Sequence, residues 1–219
     1  MTLSQQSPIG QPDAAACGDG GGGSSIPDQR IAPRFTLLFR SAKLIAEEDE
    51  FLVVLRDVSH RGIRIKTFHP LPVDVSFAIE LASGDRHEVE RIWQDGEFSG
   101  FRFQDPVALE KLLAEGPAGK RRRPIRLRLR VPVKFHAGGR CDDALILDIS
   151  QSGACIACDG HLAIGERIRI ECPGLPELTA GVRWRRRPLY GLNLEQTFQF
   201  DDLARLTARF ATGAEVTER

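Results

Sequence analysis

The sequence has little of what marks extracellular, membrane or disulfide-stabilised proteins. Its five cysteines are an odd number without framework spacing, which favours a reduced, cytoplasmic setting over a disulfide scaffold. No uninterrupted apolar run approaches the ~18 to 20 residues that a membrane span needs. Residues 1–29 contain no lysine or arginine, so a secretory signal there would lack its basic region. These absences predict a soluble protein of the cytoplasm.

The chain also has no net charge, with 30 basic and 30 acidic residues, but the charge is unevenly distributed. Residues 30–105 contain 11 basic and 13 acidic side chains. Residues 120–200 contain 15 basic and 8 acidic side chains, which is a net charge of +7. An anionic partner is therefore expected for the second half.

The strongest pattern in the sequence is an internal repeat. The segment Arg30-Ile-Ala-Pro-Arg34 is matched 96 residues later by Arg126-Leu-Arg-Leu-Arg130. Three further landmarks share an offset of 91 residues: the Asp-x-Ser-x-x-Gly segments that begin at Asp57 and Asp148, the two tryptophans (Trp93 and Trp184), and the segments that begin at Gly100 and Gly191. One offset that holds across separate landmarks indicates two copies of one module.

Each module has the pattern of a small β-protein. Short β-branched or alternating segments separated by Gly, Pro and Asp predict strands, such as Phe51–Leu55 in the first copy and Val131–Phe135 in the second. Apolar residues at helical spacing then close each copy, with Asp105 as the cap of the first helix and Asp201 or Asp202 as the cap of the second. The predicted fold class is mainly β, with a small barrel or sandwich in each of two tandem modules, each followed by a helix.

The domain boundaries follow from composition. Residues 1–29 are rich in Gln, Gly and Ser, and we predict a flexible low-complexity tail because such a segment buries too little apolar surface to fold. The first module is placed at 30–116 and the second at 124–212. A basic linker, 117–123, joins them.

The repeated motifs contain side chains that suit a guanine nucleotide. An arginine guanidinium matches both phosphate oxygens and the O6/N7 edge of guanine, and a bidentate pair of this kind contributes roughly 1 to 3 kcal/mol. An aspartate accepts from the N–H donors of guanine's Watson–Crick edge, and a serine beside a glycine lets a ligand approach the backbone. The set fits a nucleotide better than a metal ion or an acyl substrate.

The order of these motifs resembles the PilZ domain. An R-x-x-x-R segment is followed about 20 residues later by D-x-S-x-x-G, and then by a β-rich stretch with a late tryptophan, over residues 30–210. The resemblance implies six-stranded barrels with a C-terminal helix, and a bacterial receptor for cyclic di-GMP. Carried over by position, the second module's ligand-binding residues are Arg126, Arg130, Asp148, Ser150 and Gly153, with Arg122 and Arg123 as accessory donors; those of the first are Arg30, Arg34, Asp57, Ser59 and Gly62.

The two copies are not equivalent candidates. The second module is basic and follows the run Lys120–Arg123, whereas the first is slightly acidic and has Pro33 inside its arginine segment. We predict that the second module binds cyclic di-GMP, and leave open whether the first does. The arm from Lys120 is expected to fold over the ligand and to change the arrangement of the modules. That change would regulate a protein effector, for an output such as motility or exopolysaccharide synthesis.

Other chemistries have weaker support in the residue pattern. Cys155, Cys158 and His161 suggest zinc, but the ligand set is incomplete, so we expect buried cysteines and no metal. No nucleophile and base stand at a telling spacing, and a receptor without catalytic residues or a cofactor is expected. Trp93 and Trp184 are predicted to be core residues.

Two other functions stay open at this point. One is a PilZ-like protein-interaction module that no longer binds a nucleotide. The other is a nucleic-acid-binding protein that uses the basic second half, although that half lacks the interleaved aromatic residues expected for base stacking, so nucleic acid is not an expected partner. The protein effector, the ligand stoichiometry and the oligomeric state do not follow from the sequence.

Overall fold

The computed structural model describes residues 35–81, 83–109 and 124–212, which form two closed antiparallel β-barrels. The strands of the first barrel are β1 (Phe35–Ala46), β2 (Asp49–Val58), β3 (Gly62–Lys66), β4 (Phe77–Glu80), β5 (Arg86–Asp95) and β6 (Phe98–Phe103). Those of the second are β7 (Leu127–Ala137), β8 (Arg140–Ser150), β9 (Gly153–Ala157), β10 (Arg167–Glu171), β11 (Leu178–Arg186) and β12 (Leu189–Leu194). Helix α1 (Phe200–Ala211) follows the second barrel.

The two barrels have the same topology. Neighbouring strands run in the order β1-β2-β3-β6-β5-β4 in the first barrel and β7-β8-β9-β12-β11-β10 in the second. The prediction of a mainly β protein with two six-stranded barrels in tandem is confirmed. The tail, Arg30, Arg34, residues 110–116 of the first predicted helix, and the linker with Arg122 and Arg123 lie outside the described residues.

Strand β7 shows why the second module folds in the register it has. Its residues alternate between buried and exposed along the strand, so that Leu127, Leu129 and Val131 enter the core. Arg128 and Arg130 consequently face outward. Because side chains of a strand alternate between the two faces of a sheet, the apolar half of the pattern also fixes where the arginines lie.

Helix α1 begins earlier than predicted. Its N-cap is Gln199, whose side chain makes no capping hydrogen bond, and Asp201 and Asp202 lie inside the first turn. The prediction that one of these aspartates is the cap was wrong, since Phe200 is already helical and packs edge-on against Phe68 of the first module, with ring centroids 5.6 Å apart. The two carboxylates still interact favourably with the helix N-terminus.

The modules pack together through β2. Its apolar run is buried on both faces: Phe51 and Val53 belong to the core of the first barrel, whereas Leu52 belongs to the core of the second. Helix α1 contacts β2, and its Ala208 joins the core of the first barrel. Each module therefore completes the apolar packing of the other.

A buried carboxylate reinforces this contact. Glu50 is 2% exposed and accepts hydrogen bonds from the backbone N–H of Arg128 at 2.7 Å and from its Nε at 2.6 Å. The Nζ atom of Lys43 lies 3.1 Å from the same carboxylate. The hydrogen bond to Glu50 raises the pKa of Arg128. Arg128 lies between Arg126 and Arg130, so the arginine segment of the second module is attached to the first barrel.

Candidate ligand-binding site

The structure brings four of the predicted residues of the second module together at one end of its barrel. Asp148 and Ser150 are near the end of β8, Gly153 begins β9, and Arg126 directly precedes β7. The guanidinium Nη1 of Arg126 donates to Oδ1 of Asp148. The pairing of β7 with β8 brings Arg126 to Asp148 across 22 residues of sequence.

Gly153 is required by the close approach of its neighbours. A Cβ at this position would lie 2.8 Å from the carbonyl oxygen of Leu192 on β12 and 3.4 Å from Nη2 of Arg126. The Oγ of Ser150 donates to the carbonyl oxygen of Gly153 at 3.0 Å, which closes the turn. Because glycine has no side chain, the Arg126 guanidinium can lie close to the β9 backbone.

Arg130 has a different environment. It lies in a β-bulge, where the pairing of β7 with β8 shifts between Arg128 and Val131. Its side chain is exposed and makes no hydrogen bond or ion pair with residues that the structure describes. A bulge re-aims side chains, so Arg130 is available to a ligand on the same outer surface as Arg126.

Trp184 is a neighbour of this site and is not the core residue that its size predicted. Asp148 pairs with Cys155, Cys155 with Gly191, and Gly191 with Trp184, so these residues form one row across four strands. Trp184 is 44% exposed and Trp93 is 41% exposed, so the prediction of two core tryptophans was wrong.

A glycine opposite each tryptophan is the physical reason for this exposure. A Cβ on Gly191 would overlap the Trp184 indole, and a Cβ on Gly100 would overlap that of Trp93. Each ring therefore lies flat against the outside of the barrel, over the backbone of its glycine. The repeated glycines were a sequence signal for this arrangement.

The first module has the same turn, but a different residue lies beside its aspartate. The Oγ of Ser59 donates to the carbonyl oxygen of Gly62 at 3.2 Å. Arg64 occupies the position that Cys155 has in the second module, and its Nη1 lies 3.5 Å from Oδ2 of Asp57. These residues and Trp93 line a cavity of about 240 Å³. Arg64 was missed in the sequence because no motif contains it.

Cys155 and Cys158 of the second module are buried, as predicted. Cys155 and Cys158 are 7% and 6% exposed. Burial raises the pKa of the Cys155 thiol, Asp148 raises it further, and Arg126 opposes the shift. A thiol that stays protonated is a poor nucleophile and a poor metal ligand. Among the described residues, no group of His, Cys, Asp and Glu could hold a metal ion.

One protein-family model matches most of the second module. Residues 120–209 match the model of the PilZ domain. The second module is therefore similar to PilZ domains. The four assembled residues lie within the matched segment, and the barrel that precedes it has the same strand order. No curated protein matches the chain. In the part of the chain that the structure describes, no helix has the length and apolar character of a membrane span.

Several solved structures of bacterial proteins are similar to the chain at low identity. PlzA of Borreliella burgdorferi in complex with c-di-GMP has a TM-score of 0.34 and 9% identity, over 81% of this chain and 93% of that one. MotI/DgrA of Bacillus subtilis, described as an inhibitor of motility, has a TM-score of 0.33 and 15% identity, over 82% and 100%. YcgR of Escherichia coli in complex with c-di-GMP has a TM-score of 0.28 and 11% identity, over 76% and 80%.

Proposed function

We propose that the chain is a cyclic di-GMP receptor and that the ligand binds to the PilZ domain in its second half. The observation that carries this proposal is the assembly of Arg126, Asp148, Ser150 and Gly153 at one end of the barrel. These side chains offer guanidinium donors, a carboxylate acceptor and a closely approachable backbone. A guanine nucleotide has the complementary groups.

The pairing between Arg126 and Asp148 suits this ligand in particular. Guanine presents acceptors at O6 and N7 and donors on its Watson–Crick edge. When it binds, the arginine exchanges its carboxylate partner for the acceptor edge or a phosphate, and the aspartate exchanges its guanidinium partner for the donor edge. Arg130 supplies the second guanidinium, and the net charge of +7 over residues 120–200 favours a doubly anionic ligand.

The exposed ring of Trp184 offers a surface on which a guanine base can stack. It lies three strands from Asp148 in the same row, with β9 and β12 between them, or roughly 14 Å along that row. We expect cyclic di-GMP to change the fluorescence of Trp184 in a Trp93→Phe variant, where it is the remaining tryptophan. The companion variant, Trp184→Phe, reports from Trp93. A signal change of equal size in both variants would contradict a stacking contact at Trp184.

The contact between Arg128 and Glu50 supports a route from ligand to output. Arg126 and Arg130 flank the residue whose backbone and side chain hold the first barrel. A ligand that draws both flanking guanidiniums toward the proposed site acts on the segment 126–130, which is attached to the first barrel through Glu50. The receptor then signals by a change in the arrangement of its two barrels, which a protein effector recognises.

Isothermal titration of the full chain tests the ligand assignment. Arg130→Ala and Asp148→Ala should each weaken cyclic di-GMP binding by about 5- to 150-fold, since each loses contacts of about 1 to 3 kcal/mol. Arg169→Ala is the matched control, because Arg169 is an exposed arginine of β10 that pairs with Glu171 and Glu177 away from the motifs. Unchanged affinity in both test variants would remove the site. A flat titration of the wild-type chain would instead favour a nucleotide-independent interaction module.

A further inference from the structure

A cluster of basic side chains lies at the other end of the second barrel. Arg140 opens β8, and His161 lies between β9 and β10. Arg185 and Arg187 belong to the hairpin of β11 and β12. Nη1 of Arg185 lies 3.2 Å from Nε2 of His161, and Nη2 of Arg187 contacts Nδ1 of the same ring. Nη2 of Arg140 donates to the His161 carbonyl oxygen at 3.2 Å. These four residues are the arginine–histidine cluster.

This cluster is separate from the PilZ motifs. Arg140 and Asp148 are on the same strand, eight residues apart. At about 3.3 Å per residue, their backbones are roughly 26 Å apart along β8. A ligand in one place does not reach the other without spanning the length of the barrel.

Among the described residues, no carboxylate pairs with the arginines of the cluster. Several other exposed basic residues of this barrel pair with acids, as Lys134 does with Asp143. Within 35–81, 83–109 and 124–212, no ion pair involves the three cluster arginines.

The histidine does not supply the acceptors that these arginines lack. A neutral imidazole accepts a hydrogen bond at only one of its two nitrogens. At least one of the two guanidiniums that meet the His161 ring therefore faces an N–H group. The cluster has more donors than acceptors, which is the state that a bound anion relieves.

The first module shows that the fold does not require these arginines. At the repeat offset of 91 residues, the positions of Arg140, His161, Arg185 and Arg187 are taken by Asp49, Pro70, Gln94 and Gly96. The correspondence is structural as well. The strand that contains each tryptophan has a bulge immediately before it, between Arg91 and Trp93 in the first module and between Val182 and Trp184 in the second. The cluster is thus an addition specific to the second module.

Local structure holds the cluster in place. After the bulge in β11, Arg185 pairs with Tyr190 and lies on the same face of the sheet. The Tyr190 hydroxyl donates to the carbonyl oxygen of Gly160 at 2.8 Å, which fixes the loop immediately before His161. Guanidiniums from two chain segments are therefore directed to His161 on a third, with a buried tyrosine and a strand bulge holding the arrangement.

We propose that the arginine–histidine cluster binds the terminal phosphate of a small phosphorylated ligand. Phosphate oxygens match the guanidinium fork, and several arginines that converge on a point fit a compact tetrahedral anion better than an extended chain. This phosphate group belongs either to an inorganic polyphosphate, such as pyrophosphate, or to a nucleoside polyphosphate. This site is independent of the cyclic di-GMP site proposed above.

Titration of the full chain with pyrophosphate and with ATP, in a buffer without phosphate, tests the proposal. We expect Arg185→Gln/Arg187→Gln to weaken binding of the probe by about tenfold or more, since two charge-assisted contacts are lost. Glutamine is the natural residue of the first module at one of these positions. Arg183→Gln/Arg186→Gln is the matched control, because it removes the same charge from exposed positions of the same hairpin, and it should change the affinity by less than about twofold.

Each outcome of this titration has one meaning. Equal affinity for both probes supports a phosphate site, and tighter binding of ATP supports a nucleoside polyphosphate. The proposal is overturned if neither probe binds or if both double variants lose equal affinity for the probe. It is also overturned if Arg126→Ala, and not the cluster variant, abolishes binding of the probe. Binding of single-stranded DNA with neither small probe would overturn it as well. Cyclic di-GMP titrations of the same variants should be unchanged, so a failure here is distinguishable from a failure of the receptor proposal.

Discussion

Glu50→Gln should lower the free energy of unfolding by about 3 kcal/mol, because it removes the charge from a buried carboxylate that holds two cationic side chains. Glu50 is 2% exposed and accepts from Arg128 twice, at 2.6 and 2.7 Å, while Lys43 lies 3.1 Å away. A glutamine keeps one acceptor oxygen and turns an amide N–H₂ toward those donors. Urea unfolding followed by circular dichroism measures the change.

The control for this variant is Glu90→Gln. Glu90 also accepts from an arginine at 2.6 Å, from Nη2 of Arg102, but both side chains are about 60% exposed. Exposed pairs of this kind contribute about 0 to 1 kcal/mol, since water competes for both charges. Equal losses of stability in the two variants would contradict the view that Glu50 joins the modules through a desolvated ion pair.

Gly153→Ala should damage both the stability and the proposed ligand site of the second module. The added Cβ would lie 2.8 Å from the Leu192 carbonyl oxygen, and backbone of an adjacent strand moves less readily than a side chain. The expected loss of stability is about 1 to 3 kcal/mol. The Arg126 guanidinium, 3.4 Å from that Cβ, would also be displaced from the β9 backbone. Cyclic di-GMP affinity should therefore fall by about tenfold or more, on the scale of one lost arginine contact.

Gly181→Ala separates this effect from the general effect of replacing a strand glycine. Gly181 lies in β11, and a Cβ there would have no neighbour within 4 Å. Alanine should be neutral or stabilising by about 0.5 to 1 kcal/mol, because it restricts the unfolded chain. Denaturation and titration of the two variants side by side give the comparison. A Gly153→Ala protein as stable and as tight-binding as Gly181→Ala would show that the close approach at Gly153 is unimportant.

The parts of the structure that were predictable from the sequence depend on local patterns. Strict alternation in β7 fixes its core face, and with it the outward direction of Arg128 and Arg130. Asp148, Ser150 and Gly153 stand within six residues, so a single tight turn brings them together. The repeat then implied the same topology for both halves.

The parts that were not predictable depend on distant partners. Glu50 precedes an apolar run and has the appearance of a solvated residue, yet its partner Arg128 is 78 positions away. Trp184 was assigned to the core by its size, although its place depends on the glycine across the strand pair. Arg64 meets Asp57 only because the first module has an arginine where the second has Cys155.

The double-sided burial of β2 sets a limit on how the protein can be divided. Leu52 packs in the core of the second barrel, and Ala208 of α1 packs in the core of the first. A fragment cut to the limits of the family match, residues 120–209, would leave the contact surface for Leu52 uncovered. Such a fragment is expected to aggregate or to dimerise in expression trials, since an exposed apolar surface promotes association in water.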